Sequence, residues 1–161
     1  VLALGATLVV QSVRGRREIA AADYFKGLYE TARADDELLV EALVPAEKPG
    51  GVSVFLELAR RHGDFAMAGV CCRATIKGGM IDDARLVYFG SEVKPTLGAG
   101  AMAALKGKAW SDATRDAALA ALGNDLKPMS NLQGSAAMKL HLQRVLTKRA
   151  LDAAVERARA A

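Results

Sequence analysis

Five hydrophilic or flexible residues in a row, Arg60, Arg61, His62, Gly63 and Asp64, interrupt two apolar segments and lead directly into Phe65. An arginine pair beside a carboxylate can lock a sharp connection through bidentate hydrogen bonds. An aromatic ring presented beside such a turn can lie against a planar ligand. A structural salt bridge at a strand junction would use the same residues, and the residues alone leave both readings open. The rest of the inventory is thin. His62 and His141 are the only histidines and stand far apart; His141 sits in a basic helical stretch that suits a surface or packing role. Cys71 and Cys72 are adjacent and lack the C-x-x-C spacing of a zinc or iron–sulfur site. On a strand they would point to opposite faces, as free thiols suited to a reducing, cytoplasmic compartment. No G-x-G-x-x-G, P-loop, G-x-S-x-G or H-E-x-x-H pattern occurs.

The elements that must position these residues can be read along the chain. Residues 6–12 read as a strand and REIAA as a second, with Gly15 in the turn of a hairpin. Asp23 is the expected N-cap of a short helix over YFKGLYE. Residues 37–44 are β-like and stop at Pro45, and AEKPGG at 46–51 has linker chemistry. A boundary there gives domains at 1–48 and 51–161. Alternation over 52–59 and apolar runs over 65–76 and 81–89 predict three strands, the last two joined by a tight turn at 77–79. Beyond Gly90 the pattern turns helical: weakly over 96–106, over 111–122 with Ser111 as N-cap and an end near Gly123, and most strongly over 134–159. The Leu142, Val145 and Leu146 stripe of that last helix is expected to cover the sheet.

Composition narrows the class. The chain has 161 residues, 52% hydrophobic and 25% charged, as in an ordinary globular protein of one domain or a small domain plus a fragment. The net charge of +4 is spread out, without the interleaved aromatics or motif of a nucleic-acid face. No window approaches the ~20 apolar residues of a membrane span. The opening VLALGATLVV has its charges after it rather than before, so it does not read as a signal peptide. Without an initiating Met, the chain is expected to begin inside a longer polypeptide or after processing.

Four collinear segments carry a family resemblance. ELARRHGDFAMAGVCC resembles the K-x-x-R-R-x-x-D-Y/F-A-x-x-G-V-A signature of the C-terminal domain of molybdenum hydroxylase flavin subunits, the family of xanthine dehydrogenase and aerobic carbon monoxide dehydrogenase. AADYFKGLYETARADDELLVEALVP resembles the stretch closing the flavin-binding domain. ARLVYFGSEVKPT and SNLQGSAAMKLHLQRVLTKRAL resemble the family's A-R-I-A-L-G-G-V-A-P-T-P and D-x-x-G-S-A-x-Y-R-x-H-L-x-x-V-L-x-R-R-A-L. Together they span essentially the whole chain.

The resemblance implies an α+β fold: a remnant of an FAD-binding domain, then a three-stranded antiparallel sheet with a helical bundle on one face. It implies FAD bound between two domains, a small subunit with two [2Fe–2S] clusters and a large subunit with molybdopterin, two copies of each. Electrons would pass from the clusters through FAD to an external acceptor. By resemblance, Leu39 matches a position that packs on the flavin and Phe65 the aromatic beside the isoalloxazine. Arg60, Arg61 and Asp64 match the scaffold that aims Phe65. Glu57 stands where many relatives have a lysine, a charge reversal that would disfavour anionic reduced flavin. The family's phosphate loops, A-G-G-x-x-L and T-x-G-G-N, do not occur in these residues and are expected upstream of residue 1. The alternative is a non-catalytic interaction domain that has lost flavin and docks partner subunits.

Overall fold

A computed structural model describes residues 1–61 and 63–160. Two compact units divide the chain, Val1–Glu47 and Lys48–Ala161. In the first, β1 (Thr7–Ser12) is the central strand between β2 (Gly15–Ala20) and β5 (Leu38–Leu43), all antiparallel. Its LVV run is continuously apolar because Leu8, Val9 and Val10 are all buried, as a central strand covered on both faces requires. Leu8 and Val10 pack with Ile19 and Tyr24. Arg14 and Val13 form the β1–β2 turn, so Gly15 opens β2 rather than occupying the turn.

The region around Asp23 departs from expectation. The helix is α1 (Ala21–Tyr24), with Asp23 inside it, and the expected helical stretch instead forms a hairpin of β3 (Phe25–Gly27) and β4 (Glu30–Thr31). The Tyr24 side chain goes into the core and Phe25 packs edge-on against it at 5.3 Å, which anchors the chain as a strand from Phe25 onward.

The acidic turn before β5 carries a clamp. Glu37 is 6% exposed and accepts two bonds from Arg17, at 2.6 and 2.7 Å, and one from the Ala34 amide at 2.7 Å. These donors hold its carboxyl at about 2, below the ordinary 4.5; the Arg17 hydrogen bond is the largest cause and the Ala34 amide the next. Arg14 pairs with Asp36 beside it through both guanidinium nitrogens.

The second unit is built on β6 (Gly51–Leu58), β7 (Ala68–Lys77) and β8 (Met80–Phe89), paired antiparallel in chain order. These are the three expected strands. The sheet is wider than expected, because β9 (Thr96–Leu97) and β10 (Lys108–Ala109) each pair with β8. Two residues apiece are too few to leave an alternation pattern.

Three helices follow: α2 (Ala99–Leu105), α3 (Asp112–Asp125) and α4 (Ala136–Ala160). Ser111 caps α3 by accepting from the Thr114 amide at 3.3 Å. α3 runs through Gly123, and the bare glycine makes room for the Arg144 guanidinium of α4. Asp125 in its last turn then accepts from the Gly100 and Ala101 amides at 2.8 and 2.9 Å, satisfying free donors at the start of α2.

Alternate residues Val54, Ala68, Val70, Cys72, Leu86 and Tyr88 share one core with Leu105, Leu122, Leu146 and Leu151 of the helices. Helices therefore cover one sheet face. Of the expected stripe only Leu146 is fully buried, while Leu142 and Val145 are half-buried. The buried face of α4 also carries Lys139, Gln143 and Thr147, which an apolar pattern does not reveal.

Candidate functional site

The connection from β6 to β7, residues 59–67, holds the polar residues singled out in the sequence. The Met67 amide donates to the Leu58 carbonyl at 2.8 Å, closing the loop where the strands part. Within it the Asp64 amide donates to the Arg61 carbonyl at 3.2 Å. The expected guanidinium–carboxylate lock is absent among the described residues: Arg60 reaches the Leu132 carbonyl at 2.9 Å instead. Arg60 is thus a tie between the 59–67 loop and the segment before α4. A carbonyl on an exposed backbone satisfies a guanidinium without burying a charge, so no carboxylate is needed. His62 lies outside the described residues.

Glu57, Leu58, Ala59, Arg60, Arg61 and Gly63 line a concavity of about 300 Å³. Asp64 is exposed, and Phe65 projects with 91% of its surface exposed. Glu57 stands opposite Gly69, which in turn stands opposite Phe89. Phe89 lies over bare Gly69, where a Cβ would collide with its ring, and stacks on Phe55 at 5.4 Å and 20°. The sheet face away from the helices thus ends in an aromatic pair beside Glu57. Burial pushes the Cys72 thiol up to about 12, as for an inert core thiol, and raises the half-buried Cys71 as well.

Leu39 belongs to the first unit. It pairs with Val10 on β5 and remains 48% exposed. The register shifts between Val9 and Val10, where Glu41 and Leu39 are the partners, so Val40 is the extra residue of a β-bulge beside Leu39. A bulge re-aims neighbouring side chains; it has no signature in the LLVEAL run.

Two family models divide the chain. The CO dehydrogenase flavoprotein C-terminal domain matches residues 53–154, and the FAD binding domain in molybdopterin dehydrogenase matches residues 1–47. The chain belongs to the molybdenum hydroxylase flavoprotein family. It is 35% identical, over 93% of its length, to 52% of the nicotine 6-hydroxylase medium subunit of Paenarthrobacter nicotinovorans. It is 31% identical, over 92% of its length, to 52% of the glyceraldehyde dehydrogenase medium chain of Sulfolobus acidocaldarius. A solved structure of carbon monoxide dehydrogenase from Hydrogenophaga pseudoflava superposes with a TM-score of 0.93 at 32% identity, covering 97% of this chain and 54% of that one. The chain therefore spans about half the length of the relatives it matches.

An exposed aromatic residue in the loop that borders a shallow concavity suits one face or edge of a planar ring system, and 300 Å³ is at the low end for a whole small-molecule site. Glycine-rich loops that could cradle a pyrophosphate do not occur in these residues. Among the described residues no group of His, Cys, Asp and Glu could hold a metal ion, and no helix is long and apolar enough to cross a membrane.

Proposed function

We propose that this chain forms part of the FAD-carrying medium subunit of a molybdenum hydroxylase, in the path from [2Fe–2S] clusters through FAD to an external acceptor. The observation that carries this reading is the consecutive match of an FAD-binding model and a flavoprotein C-terminal model, one on each compact unit. The medium-subunit names of the relatives support an assembly with further subunits, which in this reading are an iron–sulfur small subunit and a molybdopterin large subunit. In this reading two copies of each subunit assemble, in the cytoplasm.

When bound, FAD supplies the exchange of electrons between one-electron and two-electron partners. The chain's residues bind and orient it. Phe65 offers a flat apolar face, Leu39 an aliphatic contact, and Arg60 with Asp64 the loop that carries Phe65. Glu57 sets a negative charge beside the concavity, which opposes further negative charge on a ring bound there. No residue here moves a proton or ligates a metal in this scheme.

Glu57, a carboxylate lining the concavity, favours a second reading, a docking domain that has lost flavin. Purification of the native assembly containing this chain, with subunit masses and a visible spectrum, separates the two. One FAD per copy of the chain, bleached when reducing substrate is added, is the expected result. An assembly that holds the chain without stoichiometric flavin would leave only the docking role.

A further inference from the structure

We propose that Gly90 and Gln143 are positioning residues for Phe65, an inference that rests on the flavin reading above. With its ring 91% exposed, Phe65 has almost no packing to fix its direction. It inherits that direction from the backbone at residues 64–66. Behind this backbone stands Gly90, just past the end of β8. A Cβ at Gly90 would lie 2.5 Å from the Ala66 carbonyl oxygen and 3.3 Å from the Ala66 Cβ, and its φ of +78° is one that other residues rarely adopt. Only glycine lets the two segments approach this closely.

Gly90 is held in turn from the core side. Gln143, fully buried on α4, donates from one amide nitrogen to the Phe89 carbonyl at 3.1 Å and to Ser91 Oγ at 2.7 Å, straddling Gly90. Its Oε1 has no hydrogen-bond partner among the described residues, so its donor side is what fixes the amide. A flipped amide would set oxygen against the Phe89 carbonyl and lose that bond. The Gln143 main chain is anchored as well: Thr147 donates to its carbonyl at 2.7 Å, which leaves the Tyr88 hydroxyl to donate to Thr147 Oγ1 at 2.9 Å. The Met129 amide ties Ser91 from the other side at 3.0 Å. A chain of contacts thus runs from buried Gln143 on α4 through the end of β8 to the loop that carries the aromatic ring.

Gly90→Ala, Gln143→Met and a control core truncation, Leu122→Ala, are compared by hydrogen–deuterium exchange on the full chain and by flavin visible circular dichroism in the FAD-loaded assembly. Gly90→Ala and Gln143→Met are expected to speed exchange at residues 63–67 by about tenfold without speeding it in α3. Leu122→Ala is expected to do the reverse. The flavin dichroism of both positioning variants should move toward that of Phe65→Ala. Unchanged exchange at 63–67 in both overturns the proposal, as does faster exchange with dichroism that stays wild-type while Phe65→Ala alters it. If Phe65→Ala itself leaves the dichroism unchanged, the flavin contact fails, and the exchange data alone decide the positioning role. Gln143→Met carries the test if Gly90→Ala does not fold.

Discussion

Phe65 leaves nearly its whole ring in solvent, an arrangement that core packing cannot explain. Phe65→Ala is therefore expected to change folding stability by no more than about 0.5 kcal/mol. It should nonetheless weaken flavin retention in the assembly, or alter its dichroism, as measured by urea titration alongside the visible spectrum. A large stability loss would show the ring to be structural. Glu37 is the opposite case, a carboxylate whose charge the fold depends on. Its carboxyl is held at about 2 by the Arg17 hydrogen bonds and the Ala34 amide, against an ordinary 4.5. A depressed folded value contributes stability above the unfolded value, and that contribution fades as pH falls from about 4.5 toward 2. Glu37→Gln should lower the urea midpoint of the first unit at neutral pH and flatten its pH dependence between 4.5 and 2. Equal slopes in the two proteins would show that Glu37 does not carry the acid sensitivity. The sequence marked an acidic turn here but not its partner, because Arg17 is twenty positions away on another strand.

Among the elements, the long strands and α4 were legible because each repeats its period several times. Two- and three-residue strands such as β3, β4, β9 and β10 have no room for a period, and tertiary pairing alone creates them. The buried face of α4 was half legible: Leu146 follows the apolar pattern, whereas Lys139, Gln143 and Thr147 take core positions as polar residues. Leu146→Asp puts an unpaired charge into the core between sheet and helices and should cost about 4 kcal/mol or more, enough to unfold the second unit; a soluble variant with native exchange protection would contradict the packing. Gly69→Ala tests the sheet's other face. The added methyl meets the Phe89 ring directly, so Phe89 must swing off its stack with Phe55. Overpacking of this kind costs about 1–3 kcal/mol, read as a lower denaturation midpoint. The motif glycine in G-V thus marks a ring-on-backbone contact, a role that its spacing alone did not disclose.

At the scale of the whole molecule, the chain holds the groups that could touch a flavin ring and lacks those that could hold the rest of a dinucleotide. Phe65, Glu57 and the surrounding concavity lie in one unit and Leu39 in the other. The motif segments named these residues, but spacing could not give the exposure of Phe65 or the bond of Arg60 to the Leu132 carbonyl. Apolar contact with a ring is weakly directional, and most of the oriented polar contacts to a dinucleotide fall on its phosphates. With no glycine-rich phosphate loop among the 161 residues, the chain alone is expected to release FAD on gel filtration and to show no flavin absorbance. Supplying such loops should restore it: co-expression with the part of a related medium subunit that this chain does not match is expected to yield a yellow complex. That complex should lose its flavin when the glycines of the supplied loops are replaced, and less completely when Phe65 is replaced. Stoichiometric FAD on the chain by itself would mean that it grips the cofactor through contacts other than its phosphates.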